Sequence, residues 1–525
     1  MLENRKLPVG VQDFEKLRRG RNIYVDKTQY IYQLVNSDAP YFLGRPRRFG
    51  KSLFLSTLKT YFLGKKELFD GLAIAELEED WLEYPVIYID LNKVNCGNVN
   101  ILNNLLDYIL DEYENKWGVT NKPKEISLRF DNLIKHAYEK TKRKVVVLVD
   151  EYDKPLLETM DNLTVNEEIR KILKGFYGVL KSADAYLRFV FLTGVTKFSK
   201  VSIFSDLNQL MDISMDEQYA GICGISEAEL IHNFQPELKA LAAKEGITPE
   251  EAFASMKKRY DGYHFAKESE DMYNPFSVLN TFAKLDFRYY WIQTGTPSFL
   301  VKMLKEGNFE VPDLEDNIHA SLEEITDYRV EDENPVPILY QSGYLTIKKY
   351  NKEDDEYILG FPNEEVKYGF LMKLLPAYAP SYKKRHYFSA LYFAQAIRVG
   401  DVDKFMTSLQ SFLATIPYDA ITQEHRDEKY YQYTFYMVFS LMGQFVKTEE
   451  KNNIGRADAI VETATHIYVF EFKMDENATA EDALKQINTK GYAIPYKPDH
   501  RKIVKIGVEF SKKERNVKRW VIDSD

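Results

Sequence analysis

Tyr41-Phe42-Leu43-Gly44-Arg45-Pro46-Arg47-Arg48-Phe49-Gly50-Lys51-Ser52 is the stretch on which the fold turns. It opens as an apolar strand, passes through an arginine-rich loop and runs into an amphipathic helix over Leu53–Phe62. A helix that starts on Gly-Lys-Ser straight after a buried strand aims its unpaired N–H groups and positive dipole end at the loop, which suits phosphate oxygens. Gly50 lets the backbone approach, the Lys51 ammonium reaches the β/γ oxygens, and the Ser52 hydroxyl is placed for Mg²⁺. Arg47 and Arg48 are further phosphate candidates, with an exposed basic loop as the alternative. In GxxxxGK[ST] the first glycine falls at Arg45, and Gly44 stands one position early.

A second half of the motif follows about a hundred residues on. Val145–Val149 is an apolar run ending in Asp150-Glu151, the Walker B arrangement. Asp150 would hold Mg²⁺ through water and Glu151 would polarise the attacking water. A third strand, Leu187–Leu192, ends in Thr193-Gly194-Val195-Thr196, where Thr193 or Thr196 could sense a γ-phosphate; a turn or cap hydroxyl is the competing reading. Asp26-Lys27-Thr28 reads as a capping or base-side contact without a catalytic role. Strand-like runs at 41–43, 86–91, 145–149 and 187–192, with helical patterns between them, imply a parallel α/β sheet. That sheet domain is expected over residues 1–224.

The residues 45–52 and Val149-Asp150-Glu151-Tyr152-Asp153, with Tyr290-Trp291-Ile292-Gln293-Thr294-Gly295-Thr296-Pro297, resemble the bacterial AAA-ATPase-like family, over roughly residues 5–300. The Arg-Pro-Arg-Arg-Phe-Gly-Lys version of the loop is usual there. The resemblance implies a P-loop NTPase fold and ATP as ligand.

Near the C-terminus, Ala457-Asp458 begins one apolar strand and Glu471-Phe472-Lys473 ends the next, across a tight connection at Ala464-Thr465. A hairpin centred there sets Asp458 opposite Glu471, and Glu471 and Lys473, two apart, share a face. One residue of slip would send Asp458 to the other face. Two carboxylates so close repel unless a divalent cation, Mg²⁺ or Mn²⁺, lies between them. The lysine would position water and offset phosphate charge. Glu428, on the preceding helix, is a further candidate metal ligand or an exposed acid. Gln486 and Lys490, a helical turn apart, are candidates to orient the site or contact phosphate, or plain surface polarity.

Residues 383–525 resemble the PD-(D/E)xK nuclease superfamily, in the branch fused to AAA-ATPase-like domains, with Ala457 in place of the proline. The resemblance implies a restriction-endonuclease-like α/β domain with Asp458, Glu471 and Lys473 as its core. Basic runs at Lys383-Lys384-Arg385-His386, Lys512-Lys513-Arg515 and Lys518-Arg519 could bind backbone phosphate or be solvated faces.

Between these lies a helical, polar region, 225–382. It carries Tyr260-Asp261-Gly262-Tyr263 and Tyr273-Asn274-Pro275-Phe276, an acidic stretch (313–334) read as a solvated helix and connection, and a hairpin (344–350 with 357–361) that is winged-helix-like or plainly structural. The chain's 525 residues require more than one core. A net charge of −10 excludes a protein coated in positive charge, so nucleic acid, DNA first, must be met through local patches. Two cysteines exclude a cysteine-rich zinc module and a disulfide framework. Apolar runs are strand-sized and no h-region opens the chain, so the expectation is a cytoplasmic protein without a membrane span, with homo-oligomers open. Two functions stand: an ATP-binding, metal-dependent nuclease, or an ATP-dependent switch whose nuclease-like domain binds nucleic acid or a partner without cutting.

Overall fold

Val145–Asp150 is buried along its whole length, as a strand covered on both faces of a parallel sheet must be. A computed structural model describes the chain except residues 1–4, 38, 199–209, 293–299, 302, 305–308, 310, 316, 327–333, 379–389, 415–427, 444–446, 450–457, 477, 512, 515 and 525. Residue contacts divide it into two compact units, 1–303 with 313–367 and 304–312 with 368–525.

In the first unit, β1 (Tyr41–Gly44), β2 (Val86–Asp90), β3 (Val145–Asp150), β4 (Leu187–Gly194) and β5 (Met211–Asp212) form one sheet in the order β2-β3-β4-β1-β5. Every pairing is parallel. The helices Lys51–Phe62, Val99–Trp117, Ile126–Thr141 and Leu163–Ser182 connect successive strands. The last of these and Val99–Trp117 begin on asparagines, Asn162 and Asn98, whose side chains accept from the third residue beyond and so end the preceding loop. Because β4 lies between β1 and β3, its C-terminal end separates the arginine-rich loop from the acidic turn. Ligands of open α/β sheets are held at that edge.

The rest of this unit is helical around Leu230, Phe234, Leu241, Met256, Tyr260, Val278 and Phe282, with a short ladder of β6 (Ile225–Ser226) and β7 (Met272–Tyr273). A three-stranded sheet, ordered β8-β10-β9, combines β8 (Ile318–Ala320) with the hairpin β9 (Thr346–Asn351) and β10 (Glu356–Gly360). The acidic stretch therefore holds, besides the helix Leu322–Thr326, a strand in place of a solvated connection: Ile318 and Ala320 are buried on either side of exposed His319. Three residues are too few for alternation to stand out against the charges around them.

The second unit holds a sheet of β11 (Lys447–Glu449), β12 (Ala459–Glu462), β13 (His466–Met474), β14 (Lys502–Ser511) and β15 (Asn516–Ser524), in that order. Only β13 and β14 run parallel, joined through helix Ala480–Lys490. That helix covers one face with Ile460, Ile467, Val469, Ile487 and Tyr492. Phe439, from helix Glu428–Met442, covers the other against Phe470 and Phe472. β15 lies where the sequence reading placed only a basic patch. Lys518 pairs with Glu509 at 2.7 Å, and Arg519 with Glu481, so these cations are engaged within the sheet edge. The run at 383–386 and residues Lys512 and Arg515 lie outside the described residues.

Candidate functional site

The arginine-rich loop bends sharply. Arg48 and Gly50 both take left-handed backbone, φ +68° and +101°, and Gly50 caps helix Lys51–Phe62. The Lys51 ammonium is buried and donates to the carbonyls of Arg45 (2.9 Å) and Pro46 (3.2 Å), across the loop's concave side. Arg45, at the position of the usual glycine, points away from that concavity. Its guanidinium is buried, donates to the carbonyls of Gly44, Ser214 and Tyr219, and stacks on Phe265.

A cavity of about 410 Å³ opens beside the loop. Arg47, Arg48, Gly50, Lys51, Ser52 and Glu151 all line it, so six of the candidate residues meet around one space. Its wall also holds residues to which the sequence reading gave no role in the site, notably Lys154, Phe276 and Asn280. Lys154 sits one turn past the acidic pair, and only its neighbours in sequence could have signalled it.

Asp150 and Thr193 stand behind that space rather than on its wall. Asp150 is 4% exposed; its Oδ1 accepts from Thr193 Oγ1 at 2.8 Å and its Oδ2 from the Tyr88 hydroxyl at 3.3 Å. Thr193, fully buried inside β4, thus directs its hydroxyl to the carboxylate, one of two threonines the sequence reading offered as a phosphate sensor or a turn or cap hydroxyl. Thr196 is also buried, and its N–H donates to Asp153 Oδ2 at 2.6 Å. Burial pushes the Asp153 carboxyl up to about 7. Asp26 accepts from the Thr28 N–H, a local cap, while Lys27 pairs with Glu229.

In the second unit, β12 and β13 pair Ala459 with Phe470 and Glu462 with Ile467. Continued by one residue, this register sets Asp458 against Glu471. Ile460 and Val469, a pair in the same register, pack beneath helix Ala480–Lys490, which identifies the face the trio shares. Asp458 is exposed, and its Oδ2 accepts the Phe472 N–H at 2.7 Å. Glu471 is 2% exposed; its Oε1 accepts from Lys473 Nζ at 3.0 Å and from Gln486 Nε2. Among the described residues its Oε2 is buried with no hydrogen-bond partner. Burial, then the Asp458 charge, pushes the Glu471 carboxyl up to about 7.

A buried carboxylate oxygen without a donor, next to a second carboxylate, fits a hard divalent cation. Among the described residues no group of three or more His, Cys, Asp or Glu gathers, so Asp458 and Glu471 are the ligands they offer. Glu428 is the first residue of its helix, and its side chain lies outside the described residues. Gln486 comes from the covering helix and also donates to the Tyr492 hydroxyl at 3.2 Å. The helix reaches the strand because β14 carries Gly507 opposite Glu471. A Cβ there would stand 2.1 Å from the Ala480 carbonyl oxygen.

Comparison with known proteins agrees with this division. Residues 8–204 match the AAA-ATPase-like family, described as a predicted AAA-ATPase, and residues 426–520 match a PD-(D/E)XK nuclease superfamily family. A protein of Azotobacter chroococcum mcd 1, described as an uncharacterized protein in the vnfD 5' region, is 38% identical over 530 residues, covering 100% of both chains. Among the described residues no helix is long and apolar enough to cross a membrane.

Proposed function

The chain belongs to the family, shared with its full-length Azotobacter relative, that joins an AAA-ATPase-like domain to a PD-(D/E)XK nuclease superfamily domain, and from that premise we propose that it binds and hydrolyses ATP and cuts nucleic acid, DNA first, with a divalent metal. The observation that carries the nuclease reading is Glu471: a buried carboxyl with one oxygen that finds no hydrogen bond among the described residues, set against Asp458, with the Lys473 ammonium on its other oxygen. Asp458 and Glu471 would hold Mg²⁺ or Mn²⁺, which when bound supplies charge stabilisation and a more acidic water. Lys473 positions that water and offsets phosphate charge, and Gln486 keeps Glu471 oriented.

In the first unit the arrangement supports nucleotide binding. Lys51 and the N–H groups of Gly50–Ser52 face the phosphates, with Arg47 and Arg48 beside them. Ser52 and Asp150 would hold Mg²⁺, and Glu151, on the cavity wall, orients the attacking water. Thr193 keeps Asp150 in place.

Purified protein with Mg²⁺ or Mn²⁺ should cut at least one of linear, nicked or single-stranded DNA or RNA, and Lys473→Ala should abolish the cutting. Uncut substrates under every metal and nucleotide condition would defeat the nuclease reading. Retained DNA binding without cutting would favour the ATP-dependent switch. ATP binding should be lost in Lys51→Ala.

A further inference from the structure

The arginine-rich loop lacks the glycine that usually lets such a loop curl, yet it bends through left-handed backbone at Arg48, a conformation costly for a residue with a side chain. Something outside it must hold it. Each residue from Pro46 to Phe49 meets a group from beyond residue 223. The Pro46 ring lies against Gly343, where a Cβ would come within 2.6 Å of it. The Arg47 carbonyl accepts from the Trp291 indole N–H at 2.9 Å. The Arg48 guanidinium lies over the Phe276 ring, 4.4 Å from its centre. Phe49 packs edge-on against Tyr263 and Phe265, at 4.7 and 5.3 Å, and its carbonyl accepts from the Gly224 N–H at 3.2 Å.

Two of these groups are tied together. Glu365, 1% exposed, accepts from the Ser277 hydroxyl at 2.6 Å and from the Trp291 N–H at 2.7 Å. Ser277 follows Phe276 at the start of helix Pro275–Lys284, which Asn274 caps through the N–H groups of both. One buried carboxyl thus anchors Trp291 directly and Phe276 through its neighbour Ser277. Phe276 and Arg48 also share the wall of the cavity. Stacking engages the face of a guanidinium and leaves its in-plane N–H donors for an anion.

We propose that Phe276 and Trp291 are positioning residues of the nucleotide site: Phe276 holds Arg48 ready for phosphate oxygens, and Trp291 fixes the loop backbone at Arg47. The phosphate site is then completed by the region after the sheet, not by the sheet and loop alone. This rests on the nucleotide-binding reading above.

The test measures Mg-ATP affinity by calorimetry on the full chain, with melting of the nucleotide-free protein as a check on folding. Phe276→Leu keeps bulk and loses the π-face, and should weaken binding about three- to tenfold. Trp291→Phe loses the indole donor and should weaken it about fivefold. Both should melt within a few degrees of wild type. In an Arg48→Ala background, Phe276→Leu should cost nothing further, since coupling through one contact makes the losses non-additive. Wild-type affinity in both single variants, or a Phe276→Leu loss that adds in full to that of Arg48→Ala, overturns the proposal while Lys51→Ala still shows that ATP binds. A wild-type protein with no ATP affinity sinks the nucleotide reading and this inference with it.

Discussion

Thr193 shows how much one hydroxyl decides at the residue scale. It is buried, and its bond to Asp150 sets the direction of a carboxylate that has few other donors. Valine would keep its shape and remove the donor. A hydrogen bond to a charged group contributes roughly 1.5–3 kcal/mol. Thr193→Val is therefore expected to slow ATP turnover about tenfold, read as phosphate release, while ATP affinity moves far less. Loss of ATP affinity with ADP affinity intact would instead place the hydroxyl on the γ-phosphate. The acids at the end of β3 were legible from the sequence because an apolar run stopping at two carboxylates follows the Gly-Lys-Ser loop in the right order and setting. The partner of Asp150 was not, because it depends on which strand lies beside β3.

At the scale of elements, the C-terminal site is a matter of register and of one close approach. The hairpin of β12 and β13 keeps the pairing that a tight turn at Ala464-Thr465 dictates, so the opposition of Asp458 and Glu471 could be read from residue numbers alone. The helix that delivers Gln486 is a different case. It packs onto β14 at Gly507; a glycine inside a strand signals a close approach, but not which element makes it. Gly507→Ala should push the helix off the strand, cost about 1–3 kcal/mol in the second unit, and depress cleavage although Asp458, Glu471 and Lys473 are intact. Chemical denaturation and a cleavage assay on the same preparation would check it. Normal stability with normal cleavage would mean that the helix can shift without consequence for Glu471.

For the whole molecule, two compact units predict two separable unfolding transitions. ATP should raise the transition that Lys51→Ala leaves unmoved by nucleotide, because a ligand stabilises only the unit that binds it. Glu365 adds a pH signature to the first unit. Burial, against the hydrogen bonds from Ser277 and Trp291, raises its carboxyl from 4.5 to about 7. A raised carboxyl binds its proton more tightly folded than unfolded, so its contribution is complete below about pH 4.5 and is lost as pH climbs through 7. The loss is on the order of 3 kcal/mol. Glu365→Gln should flatten the pH dependence of that transition between pH 5 and 8, measured by calorimetry; an unchanged slope would mean that Glu365 is not the titrating group.

By itself the sequence determined the local pieces: the strand–loop–helix at 41–62, the acidic strand end at Asp150, and a hairpin whose register aligns Asp458 with Glu471. Each is set by neighbours within some thirty residues, where periodicity and turn chemistry act. The tertiary structure decided what those pieces meet. It put β4 between β1 and β3 and so gave Thr193 to Asp150. It engaged Lys518 and Arg519 at the edge of β15, and brought Phe276 and Trp291 onto a loop more than two hundred residues earlier. Such contacts follow from how buried faces pack together, and packing leaves no spacing in the sequence to read.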